Sequence, residues 1–211
     1  MIKAVLFDFD GTLINTNDLI FDSYKYAFKT VLGRDIGKSE ILKLYGRPLR
    51  ASLMAYGESG EALYRTYREF NESRHDFLAK PFDGAAEGVR KLHRDGFAVG
   101  VVTSKRLELL MRGLRLMKLE DEFDVLITPA DTEKAKPDPE PVLLACAKLG
   151  VEPFDAVYVG DSEFDLAAGK AAGTKICAVN YSVTPMARLD EFSPDYRIDS
   201  ILDLCGILKR V

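Results

Sequence analysis

Five short apolar runs, at residues 3–9, 97–102, 125–128, 156–159 and 175–179, set the strongest limit on how this chain folds. Each is too short for an ordinary helix and ends in turn-forming residues, the pattern of a strand buried on both faces. Helical patterns fill the intervals. One puts Leu107, Leu110, Met111, Leu114 and Met117 on one face, and another groups Val142, Ala145, Cys146 and Leu149. A third lies between Gly84 and Gly96, with Ala86, Val89 and Leu92 as its stripe. Strand alternating with helix predicts an α/β fold built on a parallel sheet with right-handed crossovers.

Residues 16–80 break that alternation. Helical patterns run from Leu19 to Val31, from Ile41 to Tyr45, and through Leu63, Tyr67, Phe70 and Phe77, with no strand among them. A crossover between parallel strands needs far less chain, so the stretch is an insertion. The expected organisation is a Rossmann-like α/β core from residues 1–15 and 81–211, with 16–80 as a small α-helical cap. The cap would cover the carboxyl ends of the strands, where open α/β sheets bind ligands. Its hinges are expected at residues 15–18 and 80–84.

Bulk properties narrow the partners. A net charge of −4 announces no basic face for nucleic acid or a membrane surface, and no apolar stretch is long enough to span a bilayer. Acidic residues interrupt the opening run, which argues against a signal peptide. Cys146, Cys177 and Cys205 are odd in number and form no CxxC pair, so they read as buried thiols of a cytoplasmic protein. Oligomeric state leaves no mark.

Chemistry gathers where the strands end. Asp8 and Asp10 close the first run, and residues two apart on an extended segment face the same side. Two carboxylates there repel each other and demand compensation. The second run ends in Thr103-Ser104-Lys105, where the hydroxyl suits either a phosphoryl oxygen or a helix N-cap. Lys136 precedes a proline-stiffened turn, and alone it reads as a surface lysine. Asp161 and Asp165 follow the fourth run within Gly160-Asp161-Ser162-Glu163-Phe164-Asp165, a segment that also fits helix capping.

In the order Asp-x-Asp-Gly-Thr, Thr, Lys-Pro-Asp-Pro and Gly-Asp-x-x-x-Asp, these segments resemble the haloacid dehalogenase superfamily, in its branch with a helical cap after the first motif. The resemblance covers essentially the full length. It implies a nucleophile at Asp8, a general acid/base at Asp10, a phosphoryl-binding hydroxyl at Thr103, the cationic residue at Lys136 and a metal acid at Asp161. Asp165 would be a second metal-side acid, direct or through water. Asp10 would contribute its carbonyl to the metal. Thr12, Asn15, Ser104 and Arg47 are the expected substrate-binding residues, Arg47 because the resemblance implies a specificity loop there.

The residue chemistry points the same way. Four carboxylates against one lysine cannot admit a phosphate dianion without a cation, and an all-oxygen donor set favours Mg²⁺. The substrate is then a small phosphorylated molecule or pyrophosphate. Within the capped branch the resemblance leans to pyrophosphatases, with phosphoglycolate phosphatases next. Asn15, neutral where relatives commonly carry an acid, would ease approach of a charged leaving group. A phosphotransfer mutase remains open, as does a phosphoaspartate receiver domain, although the latter needs no long helical insert.

Overall fold

The computed structural model describes residues 1–208. The chain opens with strand β1 (Ala4–Phe7) and the short β2 (Ile14–Asn15). Helices α1 (Asn17–Leu32), α2 (Lys38–Leu42), α3 (Leu49–Met54) and α4 (Gly60–Leu78) follow, and β3 (Lys80–Pro81) returns the chain. Next come α5 (Ala85–Arg94), β4 (Ala98–Val102), α6 (Leu107–Met117), β5 (Val125–Ile127) and α7 (Glu140–Leu149). The last elements are β6 (Ala156–Gly160), α8 (Glu163–Ala172), β7 (Lys175–Val179), α9 (Met186–Asp190), β8 (Tyr196–Ile198) and α10 (Ile201–Ile207).

Six strands form one parallel sheet in the order β5-β4-β1-β6-β7-β8. The chain leaves β1 toward β4 and β5, then returns to the other side of β1 with β6. This reversal creates the crevice where such sheets bind ligands. Alternation along β1 divides its side chains between two apolar layers. Val5 and Phe7 pack with Val89, Leu110, Leu114, Ile201 and Leu204, while Ala4 and Leu6 pack with Val142, Ala145 and Ala168. The α/β, parallel-sheet expectation holds. Strand β8, with only three residues, gave no apolar run and was not expected.

Helices α1 to α4 lie between β2 and β3, whose antiparallel pairing sets Asn15 opposite Lys80 and Ile14 opposite Pro81. They share an apolar cluster of their own around Phe21, Tyr24, Phe28, Leu53, Leu63 and Tyr67. The stripe expected on α4 is corrected. Leu63 and Tyr67 are buried, but the buried line continues at four-residue spacing through Asn71 and His75, while Phe77 is 81% exposed. Asn71 tolerates burial because its Nδ2 donates to Ser23 Oγ at 3.1 Å. On α6 the buried face is Leu109, Leu110, Gly113, Leu114 and Met117, and Leu107 faces out. Among the described residues no helix is long and apolar enough to cross a membrane.

Gly113 fixes how closely α6 approaches the turn that follows β1. A Cβ there would meet Phe9 Cε1 and Cζ at 2.6 Å, and Phe9 stands between Asp8 and Asp10. Gly206, in α10, has nothing within 4 Å of the same position. Alanine in a helix gains about 1 kcal/mol over glycine, whereas overpacking a core costs ~1–3 kcal/mol. Gly113→Ala is therefore expected to lower the unfolding free energy and Gly206→Ala to raise it. Urea denaturation of both variants reads the signs, and equal stabilisation would show that α6 has room the structure denies.

Candidate active site

Three neighbouring strands deliver the acidic centre. Register sets Phe7 beside Val101 and Val159, so the residues just beyond β1, β4 and β6 emerge together. Asp8 follows β1, Thr103 follows β4, and Asp161 follows β6. The Asp8 N–H donates to Val159 O at 2.8 Å and the Thr103 N–H to Ile127 O at 3.0 Å, carrying sheet order one residue past the strands.

Lys136 holds this centre together. It is buried rather than at the surface, and its Nζ donates to Asp8 Oδ1 at 2.7 Å and Asp165 Oδ1 at 2.6 Å. Tyr158 OH and Val102 O lie 3.1 and 3.3 Å from the same nitrogen. Burial works against the ammonium, but Asp165 and Asp8 outweigh it and raise its pKa well above the ordinary value. Burial also lifts the Asp8 carboxyl to about 7, with Lys136 opposing and Asp165 and Asp10 adding to the rise.

Asp165 both caps α8 and serves this centre. Its Oδ2 accepts from the Ser162 N–H at 3.0 Å and from Ser162 Oγ at 2.6 Å, closing a capping box. Capping and site chemistry, alternatives in the sequence, are here one arrangement. With Lys136 on its other oxygen, Asp165 has both oxygens engaged by protein donors.

Asp161 differs. Its Oδ2 is buried with no hydrogen-bond partner, one of three such side-chain atoms among the described residues. Burial, then Asp165 and Asp8, raises its pKa well above the ordinary range. A buried carboxylate left this way is costly unless something cationic meets it. Gly11 makes the approach possible: at φ +83°, a Cβ there would stand 2.2 Å from that oxygen. Asp8, Asp161 and Asp165 each offer an oxygen within 4.8 Å of the others. This buried, all-oxygen set with one orphaned oxygen fits a hard divalent cation.

Asp10 faces elsewhere. Its Oδ1 accepts from Thr16 Oγ1 at 2.8 Å and Lys105 Nζ at 2.7 Å. The charge count of four acids against one lysine is thus corrected to four against two. A loop lysine ordinarily points to solvent, yet the Lys105 side chain is only 6% exposed. The available signal was its place two residues beyond Thr103. Thr103 Oγ1 accepts the Lys105 N–H at 3.1 Å, and α6 begins later with Arg106 as its N-cap, so Thr103 does not cap the helix.

Asp8, Asp10, Thr103, Ser104, Lys136, Asp161 and Asp165 all line one cavity of about 420 Å³. Arg47 lines it too, exposed, with its guanidinium 5.5 Å from the Phe164 ring centre. Two expected substrate-binding residues do not line it. Asn15 pairs with Lys80 in the β2–β3 ladder, and its Oδ1 accepts the Asn17 N–H at 3.1 Å in a turn leading into α1, whose N-cap is Thr16. Thr12 is fully buried, its Oγ1 has no partner among the described residues, and its carbonyl accepts from Tyr181 OH at 2.8 Å.

The insert adds Tyr45, whose hydroxyl donates to Asn17 Oδ1 at 2.5 Å and lies 2.8 Å from where a Gly11 Cβ would be. Burial, then Asp161, Asp10 and Asp8, holds its pKa well above the ordinary tyrosine value. No sequence motif distinguished it from the other insert tyrosines.

Comparison with known proteins agrees with this geometry. Residues 5–179 match the model of the family described as haloacid dehalogenase-like hydrolase. A Clostridium perfringens relative is 45% identical over 212 residues, covering 100% of this chain and 99% of its own length. Pyrophosphatase PpaX of Halalkalibacterium halodurans is 39% identical over 208 residues, covering 98% of this chain and 97% of its own. Among solved structures, a predicted phosphoglycolate phosphatase from Haemophilus somnus has a TM-score of 0.86 at 21% identity, covering 98% and 97% of the two chains. That last likeness speaks to the fold alone. The sheet order, the strand-end acids and these full-length matches together make the chain a member of the haloacid dehalogenase-like hydrolase family.

Proposed function

We propose that this protein is a magnesium-dependent pyrophosphatase that works through a phosphoaspartate on Asp8. The observation that carries the reading is the Asp8 carboxylate itself. It lines the cavity, is held by Lys136 at 2.7 Å, and stands beside the orphaned Asp161 oxygen. Membership of a hydrolase family sets aside the receiver-domain alternative. Full-length relatives named pyrophosphatase PpaX support the choice of substrate. Free, buried Cys146, Cys177 and Cys205 support a cytoplasmic setting.

Asp8 Oδ would attack one phosphorus in line as the bridging P–O bond breaks. Lys136 fixes the nucleophile's orientation, and the Thr103 hydroxyl is available to a phosphoryl oxygen. Asp10 gives its proton to the bridging oxygen, and the second phosphate leaves. Asp10 then takes a proton from water as that water attacks the phosphorus of the acyl phosphate, restoring Asp8. Asp8, Asp161 and the Asp10 carbonyl would hold Mg²⁺, with Asp165 fixing Lys136 from behind. Bound there, Mg²⁺ supplies positive charge to the carboxylates and the transferring phosphoryl group. Residues 16–80 act as a cap hinged at the β2–β3 ladder, opening for exchange and closing to exclude water.

Loss of the nucleophile and loss of the acid should look different. Asp8→Asn is expected to abolish turnover, while Asp10→Asn keeps phosphate binding and slows both chemical steps by ~10²–10⁴-fold. Comparable residual activity in Asp8→Asn would end the covalent mechanism.

The metal reading has a readout apart from activity. A raised carboxyl pKa means the folded state disfavours the ionised form, so the penalty exists above the unfolded value and vanishes below it. Asp161→Asn should therefore stabilise the metal-free protein at pH 8, by ~1–3 kcal/mol as for a relieved buried polar group. That gain should disappear below about pH 4. The variant should also lose the rise in Tm that Mg²⁺ gives the parent. A full Mg²⁺ response in Asp161→Asn would place the ion elsewhere.

For the substrate, kcat/KM should be higher for pyrophosphate than for 2-phosphoglycolate. Equal or better use of phosphoglycolate would transfer the assignment to that activity. Asn15 has no part in this expectation, since it turns to the backbone of α1.

A further inference from the structure

Two guanidinium groups meet on one carboxylate in the wall of the catalytic cavity. Arg68 Nε, on α4, donates to Glu72 Oε1 at 3.0 Å, and Arg106 NH2, just before α6, donates to the same oxygen. All three residues line the cavity that holds Asp8 and Asp10. Arg68 and Glu72 are one helical turn apart, but Arg106 comes from the sheet-bearing part of the chain, next to the Lys105 that donates to Asp10. The cluster therefore joins the insert to the acid/base side of the site.

Its charge does not cancel. Two guanidinium cations face one carboxylate, an excess of one positive charge in a chain of net −4. The side chains of Arg68, Arg106 and Glu72 are 34%, 38% and 32% exposed, so solvent screens their pairing and Glu72 is readily exchanged for another anion. A phosphate suits the exchange better than a carboxylate. It brings more charge and three free oxygens, enough for the forks of both arginines, where one carboxylate oxygen now serves both.

We propose that Arg68 and Arg106 form the seat for the phosphate that leaves, and that Glu72 keeps the two cations together until substrate arrives. This rests on the pyrophosphatase reading and deepens it. Asp8 and Lys136 hold the phosphoryl group that is transferred, whereas the arginine pair selects what it is attached to. A substrate whose leaving group carries no phosphate gains nothing from the pair. The bland alternative is a clasp that only ties insert to core, which would affect every substrate alike.

The test compares kcat/KM for pyrophosphate and p-nitrophenyl phosphate in the parent, Arg68→Gln, Arg106→Gln and Glu72→Gln. A charged hydrogen bond contributes ~1.5–3 kcal/mol, so each arginine variant should lose about 10- to 100-fold on pyrophosphate. Turnover of p-nitrophenyl phosphate should stay close to the parent value, which also shows that each variant is folded. Glu72→Gln should lower KM for pyrophosphate alone. Parallel losses on both substrates, or no loss on either, would overturn the seat. Absence of pyrophosphate turnover in the parent would instead overturn the pyrophosphatase reading, and the seat with it.

Discussion

Lys136 Nζ lies 2.7 Å from Asp8 Oδ1 and 2.6 Å from Asp165 Oδ1, with almost no contact with solvent. Three segments far apart in sequence converge on that ammonium: the end of β1, the turn before α7, and the first turn of α8. Removing one partner from such a buried set leaves an uncompensated charge, at a cost of ~3–5 kcal/mol. Neighbouring features exist to keep it in place. Gly160 has no side chain because a Cβ would meet Asp165 Cβ at 2.2 Å. Tyr158 is fully buried in the apolar layer yet turns its hydroxyl to Val102 O at 2.9 Å and to Asp165 Oδ1 at 3.2 Å. Lys136 satisfies Asp8 and Asp165 but makes no hydrogen bond to Asp161, whose Oδ2 has no partner among the described residues, so the centre as built favours one more positive charge.

The sequence located residues best where their place in the fold leaves its own signal. Asp8, Asp10, Thr103 and Asp161 stand at strand ends, and strand ends are visible as the point where an apolar run stops. Lys136 was legible only in company, since a lone lysine before a proline has no distinguishing pattern. Lys105 and Tyr45 were missed for a related reason: nothing local separates a lysine or tyrosine turned into a cavity from one turned to water. On α4, apolar residues suggested a stripe through Phe70 and Phe77, but the four-residue spacing of Leu63, Tyr67, Asn71 and His75 prevails. The polar members hid it, because their burial depends on a distant partner such as Ser23. Asn15 and Thr12 erred in the other direction. Nearness in sequence to Asp8 and Asp10 suggested nearness to substrate, but the chain leaves the cavity after Asp10 and lines it again only from Ile20 on α1.

Contacts between insert and core are of a different kind from those inside the core. The acidic centre is buried and set by sheet register, while α4 of the insert meets α6 of the core through partly exposed ion pairs. Arg112, on α6, reaches Asp76 at 3.1 Å and the Glu72 carbonyl at 3.0 Å. His75 Nδ1 lies 2.8 Å from the same Asp76, and its Nε2 is buried without a partner among the described residues. Burial, then Lys105, lowers the His75 pKa, so the imidazole is favoured neutral next to the lysine that serves Asp10. A neutral ring adds no like charge to Lys105, leaving that ammonium to Asp10.

This contrast follows from what each half must do. The proposed nucleophile would need an orientation that does not relax, and low dielectric strengthens the charges that hold Asp8. A cap of the proposed kind would form and break its contacts in every cycle, and exposed pairs contribute only ~0–1 kcal/mol each, so they can be exchanged without unfolding anything. The two regimes meet at Asp10. Thr16, the residue just before α1, bonds Asp10 from the insert side at 2.8 Å, and Lys105 bonds the same oxygen from the core side at 2.7 Å. Any swing of α1 about the β2–β3 ladder moves the Thr16 hydroxyl while Lys105 stays with the sheet. Under the proposed cap motion the Thr16 side of Asp10 would shift, whereas Asp8, anchored through Val159 and Lys136, would stay with the sheet.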